Sequence, residues 1–276
     1  MASITATPRR VRRNCRPSAR LPRARCLPWE ERADIEFGVP ELAWCYLGQV
    51  DYAQARRLQT RLAAERARGE GHDLLLLLEH PPVLTLGRHA AVRFLDETSA
   101  VRTTPSRPPL VRTDRGGGIT YHGPGQLVGY PVLALRSRAR AVRGLVASIG
   151  QAMCDTARKL EVAAFLREGF PGAWAMRSGR PVKLGSIGLA IARGVTLHGC
   201  ALNVARSAED GFVGIDACGL GGVEVSSLES EAGVAPPALD EVAPLLAAAL
   251  AARLGYDGAV RSAAIAGVPV TAPDGR

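Results

Sequence analysis

The chain has 276 residues, 47% of them hydrophobic, and a formal net charge of +9. That length supports one large domain or two small ones with an ample core, and no run approaches the roughly 18 apolar residues of a membrane-spanning helix. The charge is local: residues 1–29 hold eight arginines and no acid, which leaves only +1 from Glu30 onward. With no basic helix or aromatic stacking platform in the body of the chain, a nucleic-acid-binding protein is excluded.

Residues 1–38 read as a basic, disordered leader, interrupted by Pro8, Pro17, Pro22 and Pro28. An upstream extension without function is the favoured reading. A basic nucleic-acid arm and an organellar transit peptide are the alternatives, although Ser3 and Ser18 are few for the latter. No apolar stretch follows the arginines, so a secretory signal is excluded. The six cysteines (Cys15, Cys26, Cys45, Cys154, Cys200, Cys218) form no CxxC pair, and the five histidines (His72, His80, His89, His122, His198) show no metal-ligand spacing. Free thiols in a reducing interior follow, with no metal and no cofactor required.

Along the chain, residues 43–50 read as a strand, after which Asp51 caps a helix to about Arg68, with Tyr52, Ala55, Leu58 and Leu62 on its buried face. Residues 74–78 are continuously apolar, as expected of a strand covered on both faces. His80-Pro81-Pro82 turns the chain, and residues 83–86 are expected to pair back; residues 96–110 read as irregular. Residues 127–133 form a strand, and residues 140–160 form the clearest helix, with Val142, Leu145, Ile149, Met153 and Leu160 on one stripe and Cys154 as a core thiol. A hairpin over residues 173–187 and strands at 188–192, 196–204 and 223–225 follow, then a helix at 239–254. The last twenty residues read as loose, so one α/β (α+β) domain is expected over residues 39–256, with a tail at 257–276.

The densest signal is Arg115-Gly116-Gly117-Gly118-Ile119-Thr120-Tyr121-His122-Gly123-Pro124-Gly125-Gln126. Five glycines and a proline exclude a regular helix or strand interior and allow close backbone approach to a ligand. The segment lacks the Gly-Lys-Ser/Thr of a phosphate-binding loop and the spacing of a dinucleotide fold. Three further segments put polar groups in apolar strand or turn contexts: Lys183 within residues 181–188, His198 and Cys200 within 196–203, and Cys218 between Ala217 and Gly219. On their own, Lys183 also reads as a snorkelling surface lysine and Cys218 as a small loop residue.

In combination these segments resemble the lipoyl(octanoyl) transferases, the octanoyl–acyl carrier protein:protein transferases of lipoic acid synthesis. The resemblance runs from about Trp44 to Leu228 through residues 80–88, Arg115-Gly116-Gly117 with residues 120–127, Lys183 with Ser186-Ile187-Gly188, His198-Gly199 with Ala201-Leu202-Asn203, and Ala217-Cys218-Gly219. Gly185 and Cys200 depart from the residues common at those places. The resemblance implies a mixed central sheet flanked by helices, like the catalytic domain of biotin and lipoate protein ligases. It implies that Cys218 attacks the thioester of octanoyl-acyl carrier protein and that Lys183 lowers the thiol pKa, about 8.5 when free, or takes its proton. Arg115, Gly116, Gly117, Gly118, Ile119, Thr120, Tyr121, His122, Ser186, Ile187, Gly188, Gly199, Cys200 and Ala201 are implied to bind substrate, the glycine loop presenting backbone donors. The bracing of a loop is an equal reading for His122, and His198 reads as structural. The acceptors implied are lipoyl domains of 2-oxoacid dehydrogenase complexes and the glycine cleavage H protein. A monomer acting in the cytoplasm is expected, or in a mitochondrion or plastid if the leader is a transit peptide. The rival readings are an ATP-dependent lipoate or biotin ligase and a non-catalytic lipoyl-domain-binding protein.

Overall fold

The computed structural model describes residues 41–88, 108–135, 138–213, 215 and 223–262; the leader, residues 96–107 of the irregular segment and Cys218 lie outside the described residues. The frame is an eight-stranded mixed sheet in the order β11-β1-β2-β6-β10-β9-β8-β7. Its strands are β1 (Glu41–Gln49), β2 (Leu74–Glu79), β6 (Gln126–Val132), β7 (Ala164–Arg167), β8 (Phe170–Arg177), β9 (Arg180–Ala192), β10 (Val195–Asn203) and β11 (Gly258–Arg261). A second sheet of three strands has the order β4-β3-β5, with β3 (Val83–Leu86) between β4 (Leu110–Arg112) and β5 (Ile119–His122).

The leucine run of β2 shows why the sheet needs helices on both faces. Successive strand side chains point to opposite sides, so Leu75 and Leu77 join one core and Leu76 and Leu78 another, all four fully buried. The first core is closed by helices α2 (Arg138–Lys159) and α5 (Leu239–Leu254), through Leu145, Ile149 and Met153 on one and Val242, Leu246 and Leu250 on the other. The second is closed by α1 (Tyr52–Ala67), whose Asp51 cap accepts hydrogen bonds from the Ala53 and Gln54 amides. Two short helices, α3 (Ser207–Asp210) and α4 (Leu228–Ala232), complete the described elements. Among the described residues no helix is long and apolar enough to cross a membrane.

Several expectations are corrected. The buried face of α1 is Tyr52, Ala55, Gln59 and Ala63, with Leu58 and Leu62 only partly buried. Gln59 tolerates burial because its side-chain oxygen accepts the His198 backbone N–H at 2.8 Å. Residues 83–86 do not pair back onto β2; they leave the large sheet and become the centre of the small one. Residues 119–122 of the glycine segment are a buried strand, not loop. Residues 188–192 continue β9 rather than forming a new strand, and residues 223–225 contribute only a bridge from Val225 to Lys183. β7 was not anticipated. Part of the tail expected to be loose is β11, paired in parallel with β1.

The C-terminal end of α5 is held by a buried polar knot. Asp73, 2% exposed, accepts from Arg66 Nε at 2.8 Å, the Ala134 amide at 3.0 Å and the Tyr256 hydroxyl at 2.9 Å. Removing the carboxylate strands three donors, one of them charged. Asp73→Ala should therefore cost about 3 kcal/mol of stability, read as a lower urea midpoint at unchanged slope. Tyr256→Phe, which removes one donor, should cost about 1 kcal/mol.

Candidate active site

The two sheets meet at a pocket of about 590 Å³, within the range of roughly 300–1,000 Å³ typical of small-molecule sites. Its walls come from the glycine segment, the middle of β9 and β10, the start of β8, the first residue of α1 and the first turns of α2. Backbone proximity makes this assembly possible. At Gly188 an added Cβ would sit 3.0 Å from the Gly116 carbonyl oxygen, and at Gly199 one would sit 2.0 Å from that of Gly129. Only residues without side chains allow the strands and the loop to approach this closely. The Gly116 amide donates to the Leu189 carbonyl at 2.8 Å, which docks the loop onto β9. That amide is therefore used inside the protein rather than presented to a ligand, contrary to expectation for this residue.

Arg115 is 7% exposed and is held entirely by neutral dipoles. Its guanidinium donates to the Thr85 carbonyl at 2.7 Å, to the Thr85 hydroxyl at 2.9 and 3.1 Å, and to the Gly116 carbonyl at 3.0 Å. No carboxylate pairs with it among the described residues, and burial lowers its pKa. Lys183, also 7% exposed, stands directly across from Trp174, and its ammonium lies 5.1 Å from the centre of that ring. Arg88, exposed, adds a third cation to the lining, which contains no carboxylate among the described residues. The apolar part of the wall comes from Val142, Val146, Phe170, Pro171, Ile187 and Leu189.

Near Arg115 lies a group of neutral rings. His80 Nδ1 is 2.6 Å from the Val50 carbonyl oxygen and so carries the proton, which makes Nε2 the acceptor of the Tyr130 hydroxyl at 2.7 Å. His122 Nδ1 lies 2.7 Å from Gln126 Oε1. The Gln126 amide is oriented in turn, because its nitrogen donates to Asn203 Oδ1 at 2.9 Å while Asn203 Nδ2 donates to the Ser226 carbonyl at 2.9 Å. His122 therefore donates from Nδ1 and holds a lone pair on Nε2. Burial drives the pKa of His80 down to about 4 and that of His122 down to about 3, with the neighbouring His80 also depressing the latter. Tyr52 stacks on His122 with ring centres 6.3 Å apart, and its buried hydroxyl is left without a hydrogen bond among the described residues. Burial raises the pKa of that hydroxyl, and nearby Arg115 opposes the rise.

His198 adopts φ of +58°, unusual for a side chain larger than glycine and a form of strain that concentrates at functional sites. Its Nε2 meets Asp114 Oδ1 at 2.8 Å, and the same oxygen takes Arg56 at 2.8 Å, so the residue preceding Arg115 is braced from two elements. This partner set fits the structural role expected of His198.

Of the residues singled out in the sequence, Lys183, Arg115, Gly116, Gly117, Gly118, Ile119, Thr120, His122, Ser186, Ile187, Gly188, Gly199, Cys200 and Ala201 all line the pocket. Tyr121 does not. Strand alternation sends Thr120 and His122 inward and turns Tyr121 the other way, edge-on against Phe212 at 5.7 Å. Cys218 lies outside the described residues, but both flanks of its segment are placed. Ile215 and Val225 pack on the same apolar cluster beneath β3 and β5. Beyond Cys218, the Lys183 amide donates to the Glu224 carbonyl and the Ser226 amide to the Lys183 carbonyl, each at 2.9 Å. Tyr52, Tyr130 and Phe170 were not anticipated as lining residues. A tyrosine at a helix start beside a capping Asp, and another before a proline in a strand, carry no motif.

The three described cysteines are buried, and burial raises the Cys45 and Cys200 thiols to about 12 and the Cys154 thiol to about 11. Since thiolate is the reactive form, iodoacetamide at pH 8 should leave all three unmodified in the native protein and modify all three in denaturant, as read by peptide mass mapping.

Residues 51–251 match the family of the lipoyl protein ligase A/B catalytic domain. An octanoyltransferase from Geobacter sulfurreducens is 43% identical over 187 residues, covering 68% of this chain and 74% of that protein. One from Leifsonia xyli subsp. xyli is 41% identical over 218 residues, covering 78% and 92%. Among solved structures, a bi-partite lipoate protein ligase from Thermoplasma acidophilum superposes with a TM-score of 0.54 at 15% identity, covering 80% of this chain and 88% of that one. Lipoate-protein ligase A bound with ATP also gives 0.54, at 16% identity and covering 80% and 89%. The fold of a lipoate ligase and the sequence of a transferase thus coincide in one molecule: the chain belongs to the octanoyltransferases, acyltransferases of the lipoyl protein ligase A/B catalytic-domain family.

Proposed function

We propose that the chain takes an octanoyl group from octanoyl-acyl carrier protein onto Cys218 as a thioester and passes it to a lysine of a lipoyl domain, in 2-oxoacid dehydrogenase complexes or the glycine cleavage H protein. The observation that carries this reading is the backbone pairing of residues 224–226 along both sides of Lys183, at the edge of a pocket walled by cations and apolar side chains. Cys218 follows Ile215 by three residues, so covalent reach keeps their Cα atoms within about 11 Å of each other. The described residues that follow the segment, 224–226, run beside Lys183, which supports the pairing of Cys218 with this lysine.

The chemistry follows from those neighbours. A buried ammonium favours thiolate over thiol, more strongly where water is scarce. The thiolate attacks the carrier-bound thioester carbon, a C–S bond forms as another breaks, and the carrier leaves as its thiolate. Arg115 and Lys183 offer positive potential to the oxyanion that develops in between. The apolar wall takes the acyl tail, whose six methylenes are worth roughly 5 kcal/mol when buried at ~0.8 kcal/mol each. Exposed Arg88 at the pocket and Arg112 on β4 supply cations suited to an acidic carrier protein. Attack by a lysine amine then replaces a thioester with an amide, which is downhill without ATP.

Lys183→Ala should raise the pH midpoint for alkylation of Cys218 and slow octanoyl transfer at least tenfold. Lys183→Arg should keep the low midpoint, since it preserves the charge, and lose rate only to the extent that a proton acceptor is needed. Alkylation followed across pH by peptide mass mapping checks both. An unchanged midpoint in Lys183→Ala removes the charge argument, and transfer that requires ATP contradicts the transferase chemistry.

A further inference from the structure

We infer that His122 is the group that receives the attacking lysine amine in the second half-reaction, its Nε2 lone pair accepting one amine N–H. The inference rests on the proposed thioester route and adds to it a residue for the amine. Three observations carry it. First, the tautomer is fixed from a distance: Ser226 carbonyl, Asn203, Gln126 and His122 Nδ1 form an unbroken donor–acceptor line with links of 2.9, 2.9 and 2.7 Å. Every donor in that line is committed, so Nε2 is left as the acceptor. Second, His122 lines the pocket while Nε2 makes no hydrogen bond among the described residues, unlike His80, whose Nε2 is taken by Tyr130, and His198, whose Nε2 is taken by Asp114. An acceptor at the pocket wall, oriented by a built polar network, points to a ligand donor. Third, the line starts at the residue whose amide binds the Lys183 carbonyl, so the orientation of His122 is tied to the backbone of Lys183.

The charges in the pocket define which form of the nucleophile fits. Arg115 and Lys183 repel an ammonium, so the lysine must enter as the neutral amine. A neutral amine carries N–H donors and needs an acceptor that stays uncharged, which a histidine kept neutral by burial supplies. In the step itself the amine nitrogen bonds to the acyl carbon, the carbon–sulfur bond breaks, and the electron pair leaves with sulfur. The surplus proton passes from nitrogen to that sulfur, so Cys218 is regenerated as a thiol with no net change in charge. His122 orients the lone pair of the amine toward the carbonyl and keeps no proton.

The two half-reactions separate this role from a structural one. The full-length chain is octanoylated with octanoyl-acyl carrier protein, followed by intact mass, then mixed with a lipoyl domain and quenched at short times. For His122→Phe, which keeps a ring against Tyr52, adduct formation should stay within about twofold of the unsubstituted chain. Transfer to the lipoyl domain should fall roughly 10²-fold, as for loss of one oriented transition-state hydrogen bond, with little change in KM for the domain. Gln126→Leu, which releases the tautomer but keeps the imidazole, should show a smaller loss of the same selective kind, and it decides the matter if His122→Phe fails to fold. Normal transfer in both variants overturns the inference. So does a proportional loss in both half-reactions, which marks His122 as a brace, or a loss confined to adduct formation, which assigns Nε2 to the donor. Absence of an adduct on the unsubstituted chain is a separate failure, that of the thioester route itself, and takes the inference with it.

Discussion

The side-chain amide of Asn203 ties together the parts of the pocket that chemistry would need to keep in register. Buried at the end of β10, it accepts from Gln126 on one side and donates to the Ser226 carbonyl on the other. One partner orients the ring of His122, and the other belongs to the segment paired along Lys183. An amide can do this because it offers a donor and an acceptor in fixed directions. No apolar residue of similar size replaces it without leaving two buried groups unpaired, each costing about 1–3 kcal/mol.

Around this tie the pocket divides by charge. One wall carries Arg115 and Lys183, a buried guanidinium satisfied by neutral carbonyl and hydroxyl oxygens and an ammonium over a tryptophan ring. Another part carries His122, backed by His80, both neutral near pH 7 because burial disfavours their charged forms. A pocket with fixed positive charge and no carboxylate among its described lining residues favours thiolates, oxyanions and neutral amines over ammonium ions. Those are the species an acyl transfer from thioester to amine passes through.

Much of this was legible in the sequence, and the misses have physical causes. The leucine run 74–78 announced a strand buried on both faces, and the helix at residues 239–254 is found with those limits. The glycine segment, Lys183 and the Gly199-Cys200-Ala201 stretch were drawn to one pocket by motif alone. Local pattern failed where a long-range bond decided the outcome. Gln59 is buried because of a backbone amide 139 residues away, and residues 83–86 belong to a separate sheet set by partners in β4 and β5. β11 pairs with the first described strand across nearly the whole chain, so nothing local marks it. The Tyr52 and Tyr130 contributions depend on the histidines they meet, which sequence spacing does not reveal.

The account stands most directly on whether Cys218 carries the acyl group. Intact-mass spectrometry of the full-length chain after incubation with octanoyl-acyl carrier protein, followed by peptide mapping, reads this in one measurement. The account predicts a gain of one octanoyl group, formed without ATP and mapped to Cys218, that disappears when a lipoyl domain is added. An adduct on Cys200 or any other residue, or none without ATP, would contradict it.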